Sequence, residues 1–345
     1  MGPLFEMRYK LPLSAAIVLI GLILLWQAGA SLRVSAPPAA LVATSLYPAS
    51  TDEPISPIPQ SLPLDARKVA LGKRLFNDTR LSRDDTVACA SCHVLAKGGA
   101  DGRKQPVGIG GQLGRINAPT VLNSAFNFRQ FWDGRAASLE DQVDGPVQNP
   151  AEMGSDWPSV IEKLGRDAAY PAAFRAAYAD GLNPANVRNA IAEFERSLIT
   201  PRSRFDRYLQ GERDAISHDE FKGYQLFKNY GCVACHQGVN VGANLYQRLG
   251  VMQPYFIGDA ETEPANRGRA AITGSDEDLH VFKVPGLRNV ALTAPYFHDG
   301  SIASLEEAVA IMARFQLGVN LPSEDVALIV GFLKTLTGEY GAALP

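Results

Sequence analysis

The chain has 345 residues, of which 46% are apolar and 20% charged, with a formal net charge of −3. That apolar content excludes a disordered chain, and the lack of a basic excess excludes a charge-driven nucleic-acid binder. The length leaves room for two domains with cores of their own.

At the amino terminus Arg8 and Lys10 precede an uncharged run from Leu11 to Trp26, followed by Ala28-Gly29-Ala30. A positive flank, an apolar stretch and a small-x-small site describe a secretory signal peptide. Continued through Leu32, the same run is long enough to stay in place as a membrane anchor over residues 11–32. Both readings export the rest of the chain, and apolarity does not separate them. Residues 33–63 hold seven prolines among Ser, Thr and Ala. Their composition predicts an extended linker, with folded structure starting near Leu64.

All four cysteines fall in two copies of one pattern. Cys89-Ala90-Ser91-Cys92-His93 and Cys232-Val233-Ala234-Cys235-His236 are both C-x-x-C-H, the attachment signature of c-type haem. The order suits the chemistry, since two thiols add to the porphyrin vinyl groups and the adjacent His reaches the iron as proximal ligand. With only 5 His in 345 residues, chance does not supply one after both pairs. A redox C-x-x-C or a four-Cys zinc site accounts for the thiols but leaves both histidines unexplained. The same spacing argues against two disulfides, the usual reading of four Cys in an exported chain. Two covalently bound haem c groups are predicted.

The haem motifs belong to an internal repeat. Gly72-Lys73-Arg74-Leu75-Phe76 precedes the first and Gly223-Tyr224-Gln225-Leu226-Phe227 the second. Pro119 and Asn123 then match Pro285 and Asn289, and Phe131-Trp132-Asp133-Gly134 matches Phe297-His298-Asp299-Gly300. Both copies continue into Ala-Ser-Leu-Glu, and the second carries about 23 extra residues within the polar stretch 237–280. Helical periodicity closes each copy. Val187, Ile191, Phe194 and Leu198 follow the Asn183-Pro184 start, and Val326, Ile329, Val330, Leu333 and Leu336 follow Ser323-Glu324-Asp325. Convincing alternating strands are absent. The predicted fold is all-α: two cytochrome c-like haem domains in tandem, residues 64–205 and 206–345, after a signal or anchor (1–32) and a proline-rich linker (33–63).

The repeat also addresses the sixth iron ligand. An electron-transfer haem c generally has Met or His opposite the proximal His. Met312, expected in a turn running from surface to haem, lies as far beyond Phe297 as Pro146 lies beyond Phe131. Proline has no side chain able to bind iron, so the second haem is read as His/Met and the first as open on one face. Gln142, Glu152 and Met153 flank Pro146; a carboxylate there could serve as general acid–base, and an amide could hold a peroxide oxygen.

Taken together, Pro119-Thr120-Val121-Leu122-Asn123, Phe131-Trp132-Asp133-Gly134-Arg135-Ala136, Gly145-Pro146-Val147-Gln148 and Glu152-Met153 resemble the bacterial dihaem cytochrome c peroxidases. So do Gly238-Val239-Asn240-Val241-Gly242, Leu287-Arg288-Asn289 and Pro295-Tyr296-Phe297-His298-Asp299-Gly300. The resemblance spans roughly residues 60–340. It implies a periplasmic enzyme, often a homodimer, that reduces hydrogen peroxide to water with electrons from a small cytochrome c or cupredoxin. It makes His93 the proximal ligand of the peroxidatic haem, and gives the electron-accepting haem to His236 and Met312. By the same resemblance Glu152 is the acid–base group, Gln142 its partner, and Trp132 the aromatic ring between the haems. It further implies one calcium ion, bound by the Asn117 side chain and the backbone carbonyls of Thr293 and Pro295, an all-oxygen set suited to that cation.

One departure stands out. Many of these peroxidases carry a His that caps the resting peroxidatic iron, and the matching loop here, Val107-Gly108-Ile109-Gly110-Gly111-Gln112, has none; Gly111 holds the cap position. The first haem is therefore expected to be open in the oxidised protein, without reductive activation. His218 and His280 are expected at the surface. Two rivals remain. MauG-type dihaem enzymes, which oxidise tryptophans of a partner protein, are similar in Trp132, Gln142 and Glu152 but carry Tyr where Met312 stands. A non-catalytic dihaem electron-transfer cytochrome needs two six-coordinate haems, which Pro146 argues against.

Overall fold

Two helix pairs, each crossing on a glycine, organise residues 53–340, the part of the chain described in this computed structural model. In chain order the first half contributes α1 (Ala66–Phe76), the single turn α2 (Cys89–Cys92), α3 (Leu139–Gln148), α4 (Trp157–Gly165), α5 (Ala169–Ala177) and α6 (Pro184–Ser197). The second contributes α7 (Arg204–Leu209), α8 (His218–Asn229), the short α9 (Ala270–Thr273), α10 (Leu305–Leu317) and α11 (Ser323–Thr335). Strands β1 (Tyr246–Arg248) and β2 (Val281–Lys283) pair antiparallel, Tyr246 opposite Lys283. The sequence reading contained no strand, and three residues per strand are too few for alternation to register.

Local chemistry sets the helix starts. Ser138, Asp156, Asn183, Ser217 and Ser304 each accept a hydrogen bond from the backbone N–H three residues on, opening α3, α4, α6, α8 and α10. At α11 the expected cap moves by one residue: Pro322 is the N-cap, without a side-chain bond, and Ser323 is already helical.

In each half the helix before the haem motif crosses the helix that closes the copy. A Cβ on Gly72 of α1 would stand 1.8 Å from the Ala190 carbonyl oxygen of α6, and one on Gly223 of α8 2.0 Å from the Leu328 carbonyl of α11. Only hydrogen fits either crossing, which explains why Gly-x-x-Leu-Phe recurs. Around the first crossing Leu71, Leu75, Val187, Ala190 and Ile191 pack with Val143 and Val147 of α3. Around the second, Tyr224, Phe227, Ile329, Val330 and Leu333 pack with Phe205 of α7. The apolar positions predicted to line α6 and α11 are all buried, each stabilising the fold by about 1.5–3 kcal/mol relative to exposure.

The halves meet at Thr200. Asn123 and Asn289 are fully buried, left-handed (φ +61° and +60°), and each donates its amide to Thr200 Oγ1 at 2.8 and 2.9 Å. Farther along the seam Asn117 N–H donates to the His298 carbonyl and Lys283 N–H to the Trp132 carbonyl, both at 2.8 Å.

The proline-rich stretch departs from expectation. Folded structure does not wait for Leu64: Ile55 and Ile58 are only 2% and 1% exposed, Ile55 in the second-half core. Pro54 O accepts from Gly238 N–H at 2.8 Å. Proline keeps this segment extended, but the isoleucines between the prolines bury enough surface to hold it down as a strap. Residues 1–52, which include the signal or anchor and the first part of the linker, lie outside the described residues. Among the described residues no helix is long and apolar enough to cross a membrane.

Candidate haem sites and the seam between them

Turn α2 presents Cys89 and Cys92, and His93 follows as its C-cap. The His93 Nδ1–H donates to the Gly99 carbonyl (3.3 Å) and the His236 Nδ1–H to the Val241 carbonyl (3.4 Å). A carbonyl only accepts, so both rings carry their proton on Nδ1 and keep Nε2 for iron. Burial pulls His93 below the usual imidazole range and His236 down to about 4, so both are neutral and ligand-ready. Gly242 (φ +118°) makes room for the second ring, since a Cβ there would lie 3.1 Å from His236 Nδ1.

All four thiols are unpaired. Burial pushes the Cys89, Cys92 and Cys232 thiols up, the reverse of what a redox C-x-x-C needs. Among the described residues no group of three or more Cys, His, Asp or Glu is arranged to hold a metal ion, so the four-Cys zinc reading finds no support. Paired thiols followed by a tautomer-fixed imidazole fit haem c, twice.

Met312 is not in a turn. It is the eighth residue of α10, as Pro146 is the eighth of α3. Both positions therefore sit on matching helices with serine caps. Gln142 lies one turn before Pro146 on the same face of α3. That helix is held to α6 by ion pairs Glu140–Arg196 (2.8 Å) and Asp144–Arg188 (2.7 Å).

Glu152 is half-buried. Its carboxyl is pushed above the ordinary carboxylate range, burial outweighing the Asn149 Nδ2 hydrogen bond (2.6 Å) and the nearby Arg135 charge. The loop at the cap position is fastened to the same segment: Ile109 N–H donates to the Glu152 carbonyl (2.8 Å) and Gln112 Nε2 to the Pro150 carbonyl (3.1 Å). Gly110 and Gly111 are left-handed (φ +62° and +76°), and a Cβ on either would meet nothing within 4 Å.

Trp132 lies on the seam. Its indole N–H donates to the Asn117 carbonyl (3.3 Å), and its ring meets His298, its repeat counterpart, edge to face at 6.3 Å. His298 is 2% exposed, and its Nε2–H donates to Asn266 Oδ1 (2.7 Å). His218 is exposed as expected; His280 is not, being half-buried with its Nδ1–H donating to the Asn266 carbonyl (2.7 Å) and its ring against Phe256. The extra residues of the second copy supply Phe256 and Asn266, and so build this cage. Asn117 donates Nδ2 to the Arg103 carbonyl (2.8 Å); among the described residues its Oδ1 and the Thr293 and Pro295 carbonyls accept no hydrogen bond.

Several residues escaped the sequence reading: Thr200, the Arg288–Asp206 pair, Lys283 and Glu195. Lys283 is 8% exposed, its ammonium pulled down to about 8 by burial. The usable signal was departure from the repeat, since Arg288 stands where the first copy has Leu122 and Lys283 where it has Asn117.

This geometry defines a duplicated haem-binding class, and comparison narrows it. Residues 66–214 match the family described as di-haem cytochrome c peroxidase. The chain is 50% identical over 294 residues to cytochrome c peroxidase Ccp of Escherichia coli (strain K12), covering 85% of this chain and 63% of that relative, so it spans less than two thirds of that protein. It is 46% identical to cytochrome c551 peroxidase of Nitrosomonas europaea, covering 84% of this chain and 86% of the relative. Among solved structures it resembles a MauG-like protein associated with microbial copper homeostasis (TM-score 0.72, 30% identity, 86% of this chain and 95% of that one). It also resembles the diheme peroxidase BthA of Burkholderia thailandensis E264 (TM-score 0.68, 25% identity, 82% and 90%). The chain belongs to the di-haem cytochrome c peroxidase family.

Proposed function

We propose that this protein reduces hydrogen peroxide to water, H2O2 + 2 e− + 2 H+ → 2 H2O, with electrons from a small cytochrome c or cupredoxin. The observation that carries the reading is the pairing of Pro146 with Met312 on equivalent helices, with the Glu152 carboxyl beside the proline copy. When bound, the first-half haem supplies the iron at which the O–O bond is cleaved. Glu152 would take a proton from one peroxide oxygen and return it to the other, which leaves as water, a task suited to a carboxyl raised by burial. Gln142 holds the peroxide by its amide without titrating. Pro146 offers no donor atom, and Gly111 no imidazole, so neither residue would close this side of a bound haem in the oxidised protein, and turnover would need no reductive activation. His236 and Met312 would hold the electron-collecting haem, and Trp132 would carry electrons across the seam.

Asn117 Oδ1 with the Thr293 and Pro295 carbonyls is proposed to hold one calcium ion between the halves. A periplasmic, homodimeric protein, either freed by cleavage or tethered through residues 11–32, completes the reading. Its test is steady-state turnover of the fully oxidised holoprotein with reduced cytochrome c and peroxide. Turnover without a pre-reduction lag, with a near-infrared His/Met band, is the expected result. Two six-coordinate haems inert to peroxide would instead make it an electron carrier, and tryptophan oxidation in a partner without cytochrome c turnover would make it MauG-type.

A further inference from the structure

Residues 53–58 end beside the second haem motif, and their contacts lead to His236. Gly238, two residues past that ligand, donates its N–H to the Pro54 carbonyl (2.8 Å) and accepts from Ser56 N–H (3.4 Å). Arg288, 2% exposed, bridges strap and loop: Nη2 donates to the Ser56 carbonyl (2.8 Å) and Nε to the Val239 carbonyl (3.0 Å). Its Nη1 pairs with fully buried Asp206 (2.7 Å), which also accepts from Ile58 N–H (3.3 Å). Ile55 shares a core with Val241, whose carbonyl is the acceptor for His236 Nδ1–H. Glu53 adds a hydrogen bond from the Tyr224 hydroxyl at the strap's outer end. Among the described residues the first half shows no such brace, and apolar Leu122 occupies the Arg288 position.

We propose that this strap, acting through Arg288 and Asp206, is a positioning device for His236 that sets the reduction potential of the haem attached there. A proximal imidazole that donates a well-aligned Nδ1–H bond is a stronger base toward iron and favours the oxidised form. Freeing the 237–242 loop weakens that bond and raises the potential. A buried ion pair adds little net stability over an apolar one, so Arg288–Asp206 is better explained by the geometry it enforces. The inference rests on haem attachment at Cys232 and Cys235 and deepens the electron-collecting role proposed above. It does not depend on peroxide turnover, so the two readings fail separately.

The experiment is a spectroelectrochemical titration of the full-chain holoprotein without peroxide, following each haem at its own absorption. An Ile55→Ser/Ile58→Ser double variant releases the strap, which limited proteolysis near residues 50–60 reports independently. Arg288→Lys keeps a cation for Asp206 but loses the bonds to Ser56 and Val239. Each is expected to shift the second haem's reduction equilibrium about tenfold toward the reduced form, about 59 mV for a one-electron couple, with the His93 haem unmoved. Should either fail to fold, Ser56→Pro removes one strap donor and no core side chain, and a smaller shift in the same direction is expected. A strap opened to protease with both potentials unchanged overturns the proposal, as does an equal shift of both haems.

Discussion

The two halves share one framework, a helix before the haem motif, a serine-capped helix and a closing helix, but the first adds α4 and α5, the second adds the strand pair and its loop, and the shared positions themselves diverge at a few places. What they share shapes the backbone: Gly72 and Gly223 at the helix crossings, Asn123 and Asn289 at the left-handed turns on Thr200, Ser138 and Ser304 at the helix caps. What differs is side-chain type: Pro146 against Met312, Leu122 against Arg288, Trp132 against His298, Asn117 against Lys283. The contrast teaches that steric requirements of a crossing or a turn hold both copies to one residue type, whereas positions free of those backbone constraints differ in side-chain chemistry.

The most damaging blow to the specialised first half is Glu152→Gln. It removes proton delivery alone, so turnover is expected to fall by about 10²–10⁴-fold while both haem spectra persist; unchanged steady-state rates would strike Glu152 from the mechanism. Pro146→Met asks whether the copies can be made alike. Placing a thioether at the eighth residue of α3 should convert the first haem to a low-spin His/Met form and lower turnover at least tenfold by about 1.4 kcal/mol or more of competition, visible as a second near-infrared band.

The shared framework is tested by Gly72→Ala and Gly223→Ala. Each methyl meets backbone oxygen, so each should destabilise by about 1–3 kcal/mol, and calorimetry should find the two costs similar. A harmless Gly223→Ala beside a disruptive Gly72→Ala would break the structural equivalence. The smallest effect concerns Glu195 on α6, 5% exposed and pushed up to about 8 by burial; its counterpart on α11 is Leu333. Because its folded pKa lies above its unfolded one, the native state holds the proton longer, and stability falls as pH rises from about 4.5 to about 8. Glu195→Leu should flatten the melting temperature across that window, and an unaltered slope would show that another group causes it.

The paired C-x-x-C-H motifs, the duplication, the helix faces and the Pro146–Met312 contrast were all legible in the sequence, because each depends on spacing along one short stretch. C-x-x-C-H is local chemistry, and a 3.6-residue apolar period is local geometry. Composition misjudged residues 53–63 for a related reason: prolines announce an extended chain but do not say whether its isoleucines find a core. The partners that decide this lie far away. Ile58 meets Asp206 across 148 positions and Ser56 meets Arg288 across 232. The same holds for the depth that raises Glu152 and Glu195, the cage around His298, and the seam at Thr200. No repeat or period encodes such pairings; they follow from how two helix pairs close on each other, so only the folded chain decided them.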